Sequence, residues 1–237
     1  MMILMSRSKK WSHCLSMNKI KINCLKWGTK YNFDYVNRTY GGLLKYCRVP
    51  FHFVCYTDDS RGISSRIETK DIQELRPYDT KRVFTYEKLF LIDNDEYDKN
   101  IWIDLDVLVH EDITELITRK HHNITFIWNY WNDYEKISLF NYGRGVSCHT
   151  NSSFVAWDKG TASWLLTYTK NNWEKIKWTY KSLDKYLFYQ HHRNNKLNLW
   201  EKDLFSNYNK EQYQLKNMKE YFHIFSCLGM KLTREGP

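Results

Sequence analysis

Hydrophobic and polar positions follow two periods along the chain. A period of two, or a continuous apolar run, predicts β-strands, whereas apolar residues three and four apart predict helices. Strands are predicted at residues 20–27, 49–56, 100–109, 123–128 and 151–158. Helices are predicted at 33–46, 83–92, 111–118, 161–175 and 182–191, and residues 61–81 show no regular pattern. This alternation predicts an α/β fold with a largely parallel sheet.

The composition indicates one globular domain. The 237 residues are 42% hydrophobic, which is enough to build a single core, and 3 Pro with 9 Gly leave little room for linkers. Residues 1–16 differ from the rest, and their apolar start followed by a Lys pair does not have the order of a signal peptide. We therefore expect an added or disordered extension at 1–16, a natural start at Met17 and a single domain over 17–237. No apolar run reaches the roughly 18 residues of a membrane span, so we expect a soluble, cytoplasmic protein.

Charge and cysteines narrow the function classes. The formal net charge is +9, which attracts phosphate groups of nucleic acids, anionic lipids or nucleotide diphosphates. The basic residues are dispersed and form no nucleic-acid motif, so a generally basic surface is the favoured interpretation and no nucleic-acid partner is expected. The six Cys form no C-x-x-C pair, which argues against a zinc ribbon and favours reduced thiols.

Two carboxylates, Asp104 and Asp106, follow the apolar run Ile101-Trp102-Ile103. A spacing of two places both side chains on the same side of a strand, where like charges repel unless a cation neutralises them. Oxygen ligands favour Mg²⁺ or Mn²⁺, and ligands of α/β sheets bind at the carboxyl ends of strands. Because Asp-x-Asp also occurs by chance, as it does at 93–95, a solvated or hydrogen-bonded pair stays the alternative.

Six short motifs in order resemble the nucleotide-sugar glycosyltransferases of the GT-A fold, including the glycogenin-like group and small viral and bacterial members. The motifs are KINCLKWGTKY (21–31), YVN (35–37), FVCYTDD (53–59), YEKLF (86–90), IDLDV (103–107) and NSS (151–153). The resemblance covers about residues 20–158. It implies a single Rossmann-like GT-A domain in which 17–158 bind the nucleotide sugar and 159–237 form the acceptor side.

The resemblance also implies an activity. The protein would transfer a hexose from a nucleotide sugar, with UDP favoured, to a hydroxyl of an unknown glycan, protein or lipid acceptor. The cofactor would be Mn²⁺ or Mg²⁺. If the chain is viral, the site of action would be the host cytoplasm.

Matching positions imply the nucleotide-binding residues. Trp27, Thr29 and Tyr31 match the loop that holds the nucleoside, with Tyr31 stacking on the base. Asp58 matches a contact to the base or ribose. Taken alone, Tyr31 is more often a packing residue than a base platform.

Three further positions match the diphosphate and metal region. Asp106 is implied as the direct metal ligand, and Asp104 as a contact to ribose and metal. Lys88 is implied to face the donor and to stabilise negative charge during transfer. A lone Lys is usually solvated, so this role depends on the resemblance.

The sugar-binding positions match in part. Asn151, Ser152 and Ser153 match residues that line the donor sugar, although Asn-Ser alone is also a turn signal. Asp184 loosely matches the acid of an Asp-Gln pair near the transferred sugar, with Lys185 in place of Gln. The resemblance thus assigns catalytic roles to Asp184, Asn151 and Lys88.

The C-terminal motif departs from the family. His-x-x-Gly-x-x-Lys is expected, but Gly229 and Lys231 here have one residue fewer between them. Lys231 would bind phosphate. His223 would be the third metal ligand, although a structural His is the commoner case.

Two other function classes stay open. Asp-x-Asp-Val after an apolar strand also resembles the nucleophile motif of haloacid-dehalogenase-like phosphatases, but about a hundred residues precede it and no later Gly-Asp-x-x-x-Asp follows. Alternatively, the 10 Trp, 18 Tyr and 12 Phe would serve a binding module for glycan or nucleic acid.

Overall fold

The computed structural model describes residues 19–75, 86–92, 96–129, 148–180, 182–194, 197–201 and 204–205. The strands are β1 Ile20–Lys26, β2 His52–Thr57, β3 Glu68–Asp71, β4 Lys99–Ile103, β5 Thr125–Trp128, β6 Thr150–Asp158 and β7 Asn198–Leu199. The helices are α1 Phe33–Tyr46, α2 Glu87–Phe90, α3 Thr114–Thr118, α4 Ser163–Asn171, α5 Trp173–Thr179 and α6 Leu183–Asn194, with a 3₁₀ helix at Ile72–Leu75. Residues 1–16 and Met17 lie outside the described residues.

The described strands form one seven-stranded sheet in the order β3-β2-β1-β4-β6-β5-β7. Strands β3, β2, β1 and β4 are parallel neighbours. Strand β6 runs antiparallel between β4 and β5, and β7 is parallel to β5. The predicted α/β class with a mostly parallel sheet is confirmed.

Buried side chains fill both faces of the sheet, as the continuous apolar strands predict. In β4, Trp102 packs into one hydrophobic cluster with α4, α5 and α6, whereas Ile101 and Ile103 pack into another with α1 and α3. Helix α1 has the predicted bounds because its ends and its apolar face are both marked in the sequence. The Asn32 side chain accepts a hydrogen bond from the backbone N–H of Asp34, and Val36, Thr39 and Leu43 are buried three and four residues apart.

The strand prediction at 100–109 is wrong in its second half. Strand β4 ends at Ile103, and the chain then turns, with the N–H of Val107 donating to the carbonyl of Asp104 at 3.1 Å. Leu105 and Val107 continue the apolar alternation because they pack into the core from the turn. Asp104 and Asp106 therefore do not share the face of a strand.

Two other predictions need correction. The single helix at 161–175 is two helices, α4 and α5, separated at Asn172, whose side chain donates to the carbonyl of Tyr168 at 2.9 Å. Strand β3 falls in the segment without a pattern because its residues, ETKD, lie mostly exposed at the sheet edge. Within the described part of 83–92, Glu87–Phe90 form a helix, and the other predicted elements are found with ends shifted by up to three residues. Within the described residues, no helix is both long and apolar enough to cross a bilayer.

Candidate active site at the carboxyl edge of the sheet

A cavity of about 610 Å³ opens where β1 and β4 end and β6 begins. Because β6 is antiparallel to β4, its first residues lie at the same edge as the last residues of β4. The start of α6 closes the other side. The lining residues are Leu25, Trp27, Gly28, Thr29, Lys30, Tyr31, Lys88, Trp102, Asp104, Leu105, Asp106, Ser152, Ser153, Ser182, Leu183 and Asp184.

Lys88 lies at the centre of a polar network in this cavity. Its ammonium group is 2.8 Å from Asp104 Oδ1, and it donates to the carbonyl of Ser152 at 2.7 Å and to the Ser152 hydroxyl at 3.2 Å. Asp104 Oδ1 also accepts the indole N–H of Trp102. The side chain of Lys88 is only 10% exposed, so short helix α2 brings a buried positive charge to the Asp pair.

Asp184, at the start of α6, is bound to the same part of β6. Its carboxylate accepts the backbone N–H of Ser152 at 2.9 Å, and its carbonyl accepts the Thr150 hydroxyl. Burial raises the pKa of Asp184, whereas the nearby positive charge of Lys88 opposes that rise. The Ser182 side chain accepts the backbone N–H of Lys185 at 3.4 Å and so caps the start of α6.

Tyr31 connects the loop after β1 to the second carboxylate of the pair. Its hydroxyl donates to Asp106 Oδ2 at 3.1 Å, and its ring packs edge-on against Tyr35, with 5.0 Å between the ring centroids. Burial first, and then the negative charge of Asp106, raises the pKa of Tyr31. The phenol therefore stays protonated and acts as a donor.

A tight turn begins the same loop. Gly28 has φ +59°, a backbone conformation that favours glycine, and its N–H donates to Asp58 Oδ2 at 2.8 Å. Asp58 follows β2, the parallel neighbour of β1. The loop that carries Trp27, Thr29 and Tyr31 is thus held from the adjacent strand.

Comparison with solved structures identifies the architecture. The galactosyltransferase LgtC, solved in complex with donor and acceptor sugar analogs, superposes with a TM-score of 0.51 and 13% identity, over 76% of this chain and 72% of that one. The bifunctional glycosyltransferase WbbM gives a TM-score of 0.51 and 11% identity, over 78% of this chain and 39% of that one. The chain has the GT-A fold. No family model and no curated protein matches the sequence.

The GT-A cavity brings together most of the predicted site residues. Nine of them line it: Trp27, Thr29, Tyr31, Lys88, Asp104, Asp106, Ser152, Ser153 and Asp184. Asp58 lies behind the loop, and the Asn151 side chain accepts the N–H of Ser153 at 2.8 Å. His223 and Lys231 lie outside the described residues.

Several lining residues were not predicted. The place of Trp102 in the cavity wall could have been predicted, because Trp102 precedes Asp104 by two residues and so shares its side of the chain. Ser182 and Leu183 directly precede Asp184 in the sequence, so their place in the cavity wall follows from that of Asp184. Gly28 also lines the cavity, and its place follows from the turn that begins the loop after β1.

The Asp pair fits a hard divalent cation as far as the described residues extend. Both carboxylates line the GT-A cavity and offer only oxygen, the ligand that Mg²⁺ and Mn²⁺ prefer. Within the described ranges, no three His, Cys, Asp or Glu side chains cluster as a metal site. Such an ion would therefore take further ligands from substrate phosphate and water, which is common for Mg²⁺.

Proposed function

We propose that the protein is a metal-dependent glycosyltransferase that moves a hexose from a nucleotide sugar, with UDP as the nucleotide, to an acceptor hydroxyl. One observation carries the proposal: Asp104, Asp106 and the buried Lys88 meet in one cavity at the carboxyl edge of a GT-A sheet. The cavity volume of about 610 Å³ lies within the range of small-molecule sites.

The nucleoside would bind against the loop after β1. Trp27 is 42% exposed and Tyr31 lies next to it in the cavity wall, so both offer aromatic surface to a base. The bond from Gly28 to Asp58 supports the loop conformation and gives Asp58 an indirect role.

The diphosphate would lie at the Asp pair. Asp106 and Asp104 would hold Mn²⁺ or Mg²⁺ together with phosphate oxygens. When bound, the ion would act as a Lewis acid that neutralises the leaving diphosphate. Lys88 contributes a fixed positive charge at the same place, where it stabilises the negative charge that develops on the leaving group.

The transferred sugar would lie between β6 and α6. Ser152, Ser153 and Asp184 line this part of the cavity and offer hydroxyl and carboxylate groups to sugar hydroxyls. Asn151 supports Ser153 through the backbone. Ser182 and Asp184 belong to residues 159–237, the half that we propose as the acceptor side of a single domain, so the acceptor hydroxyl would approach the sugar from there.

The position of Asp104 in the fold weighs against the phosphatase alternative. The nucleophile motif of that class normally follows the first strand of its domain, whereas β1, β2 and β3 precede β4 in this chain. If the protein were instead a binding module, it would bind nucleic acid or glycan, and this binding would not require UDP or another nucleotide.

Calorimetric titration of UDP into the purified protein, with and without Mn²⁺, tests the proposal. We expect binding that requires the metal, with GDP as the comparison nucleotide, followed by hydrolysis of at least one UDP-hexose. Absence of binding to UDP, GDP and their sugars under both conditions would refute it.

A further inference from the structure

Arg38, on helix α1, contacts the turn that carries the Asp pair from outside the cavity. Its guanidinium Nη2 donates to the carbonyl oxygen of Leu105 at 3.2 Å. Its guanidinium carbon also lies 4.4 Å from the centroid of the Tyr35 ring, one helical turn away from it on α1. No motif in the sequence pointed to this residue.

The contacted carbonyl has a special place in the turn. The N–H of Val107 bonds to the carbonyl of Asp104, so residues 104–107 form a β-turn whose middle peptide joins Leu105 to Asp106. The two commonest turn types differ mainly in the direction of that middle peptide. A donor fixed on the Leu105 carbonyl therefore selects one direction.

The turn is held at other points as well. The N–H of Asp104 donates to the carbonyl of Ser153 at 2.8 Å, and the side chain of Leu105 is buried in the core with 2% exposure. These contacts fix the position of the turn, whereas the bond from Arg38 acts on the peptide that immediately precedes the Asp106 side chain.

Arg38 also brings charge to this place. Burial lowers the pKa of Arg38, while Tyr35, Asp106 and Tyr31 raise it, so the carboxylate and the guanidinium interact electrostatically. A guanidinium stays charged in proteins. Its positive charge offsets part of the negative charge of the Asp pair.

We infer that Arg38 is a positioning residue that fixes the Leu105–Asp106 peptide and so directs the Asp106 carboxylate into the donor site. The part of this inference that concerns metal affinity rests on the proposed function. Residues that orient a metal ligand typically change metal affinity by about 10–100-fold when they are mutated.

The first test is the crystal structure of unliganded Arg38→Met, which does not depend on the proposed function. Met retains much of the side-chain volume but cannot donate a hydrogen bond. We expect the Leu105–Asp106 peptide to rotate and the bond between Tyr31 and Asp106 to break. An unchanged turn with Asp106 still bonded to Tyr31 would overturn the inference.

The second test measures Mn²⁺ binding by electron paramagnetic resonance in the presence of saturating UDP. For Arg38→Met we expect a dissociation constant for Mn²⁺ raised ~10-fold or more, with UDP binding at saturating Mn²⁺ little changed. A purely structural role would weaken both together. Arg48→Met is the matched control, because Arg48 is an exposed residue paired with Asp112.

Arg38→Lys separates charge from geometry, since a Lys ammonium cannot reproduce the planar guanidinium contacts. We expect it to lose most of the Mn²⁺ affinity that Arg38→Met loses. Affinity equal to the wild type would show that charge alone suffices and would overturn the positioning role. Failure of the wild-type protein to bind Mn²⁺ with UDP would instead count against the proposed function itself.

Discussion

The two ends of the β4–β6 strand pair each bring a buried lysine to an aspartate. At one end Lys99 lies opposite Asp158 in the strand register and bonds to it. At the other end Lys88 bonds to Asp104, directly after β4. A Lys–Asp pair therefore lies at each end of these two strands, and only the pair of Lys88 and Asp104 lies at the cavity.

Protein groups enclose the first pair, which we call the closed pair. The Lys99 side chain is 2% exposed and also donates to the carbonyl of Arg119. The second oxygen of Asp158 accepts the N–H of His121 at 2.8 Å, and the His121 ring bonds to the Thr125 hydroxyl at 2.9 Å. The bonds at this end of the strand pair are made to other groups of the protein, as expected for a pair that stabilises the fold.

The pair of Lys88 and Asp104, which we call the open pair, lines the cavity next to a second carboxylate, Asp106. A buried ion pair by itself therefore does not mark a functional site, because structural pairs have the same chemistry. The features that distinguish the open pair are its access to the cavity and the additional carboxylate at the carboxyl edge of the sheet.

Asp106→Asn should give the largest effect, because it removes the carboxylate that distinguishes the open pair. We expect metal-dependent UDP binding to disappear and transfer to fall at least ~10³-fold, the equivalent of several kcal/mol of lost charge stabilisation. Calorimetry and a UDP-hexose assay would measure both. Asp112→Asn, which changes an exposed carboxylate paired with Arg48, should leave both unchanged.

Lys99→Met should destabilise the protein without changing the site. Removing Lys99 leaves Asp158, whose side chain is only 21% exposed, without its counterion, and we expect the free energy of unfolding to fall by about 3 kcal/mol. Urea denaturation would measure the loss. Unchanged stability, or loss of UDP binding in the folded fraction, would remove the distinction between the two pairs.

Lys88→Met should affect the rate of transfer more than the stability of the protein. Asp104 lies at the cavity and can be solvated, so the stability loss should be smaller than for Lys99→Met. The rate of transfer should fall ~10²-fold, as it does when one group that stabilises transition-state charge is removed. Steady-state kinetics at saturating Mn²⁺ would test this, and a variant with wild-type kcat would contradict the proposed role.

The closed pair should also make stability depend on pH through His121. Burial, and then the positive charge of Lys99, lowers the pKa of His121 to about 4. As the pH falls through the usual His pKa, the unfolded chain binds a proton that the folded protein does not bind until about pH 4. The folded protein should therefore lose about 2 kcal/mol between about pH 7.5 and 5.

Unfolding by urea at those two pH values would measure the loss. The comparison protein is His121→Asn, whose side chain still reaches the Thr125 hydroxyl and does not titrate. The difference in the free energy of unfolding between the wild type and His121→Asn should shrink as the pH falls. A constant difference would show that His121 has an ordinary pKa.

The smallest effect concerns the nucleoside loop. Asp58→Ala removes the acceptor of the Gly28 N–H, and we expect the dissociation constant for UDP to rise ~5-fold, or about 1 kcal/mol for one hydrogen bond. Asp58→Asn retains an acceptor oxygen and should recover most of the affinity. Asp59→Ala is the control, since Asp59 pairs with Arg61 instead of the loop.

Local features could be predicted from the sequence because their causes are local. Helix α1 was predicted with its bounds because apolar residues such as Val36 and Leu43 recur at helical spacing. The order of the strands placed Asp104 and Asp106 at the correct edge of the sheet. The resemblance to GT-A enzymes then identified most of the residues that line the cavity.

Long-range contacts could not be predicted in this way. At the end of β4, the N–H of Asp104 bonds to the carbonyl of Ser153, which lies 49 residues later in the chain. The sequence does not mark this end, because Leu105 continues the apolar pattern of a strand. The bond from Arg38 to Leu105 spans 67 residues and has no periodic signal. The sequence gives no sign that Lys99 pairs with Asp158, whereas Lys88 was identified through the YEKLF motif.

The most direct test of the central claim is a crystal structure with UDP and Mn²⁺ in which anomalous scattering locates the metal. We predict one Mn²⁺ peak between the diphosphate and Asp106, within coordination distance of a carboxylate oxygen, with the uracil against the Trp27–Tyr31 loop. The Tyr31 hydroxyl should then leave the bonded oxygen or share the carboxylate with the metal. Nucleotide bound away from this cavity, or metal bound without Asp106, would contradict the claim.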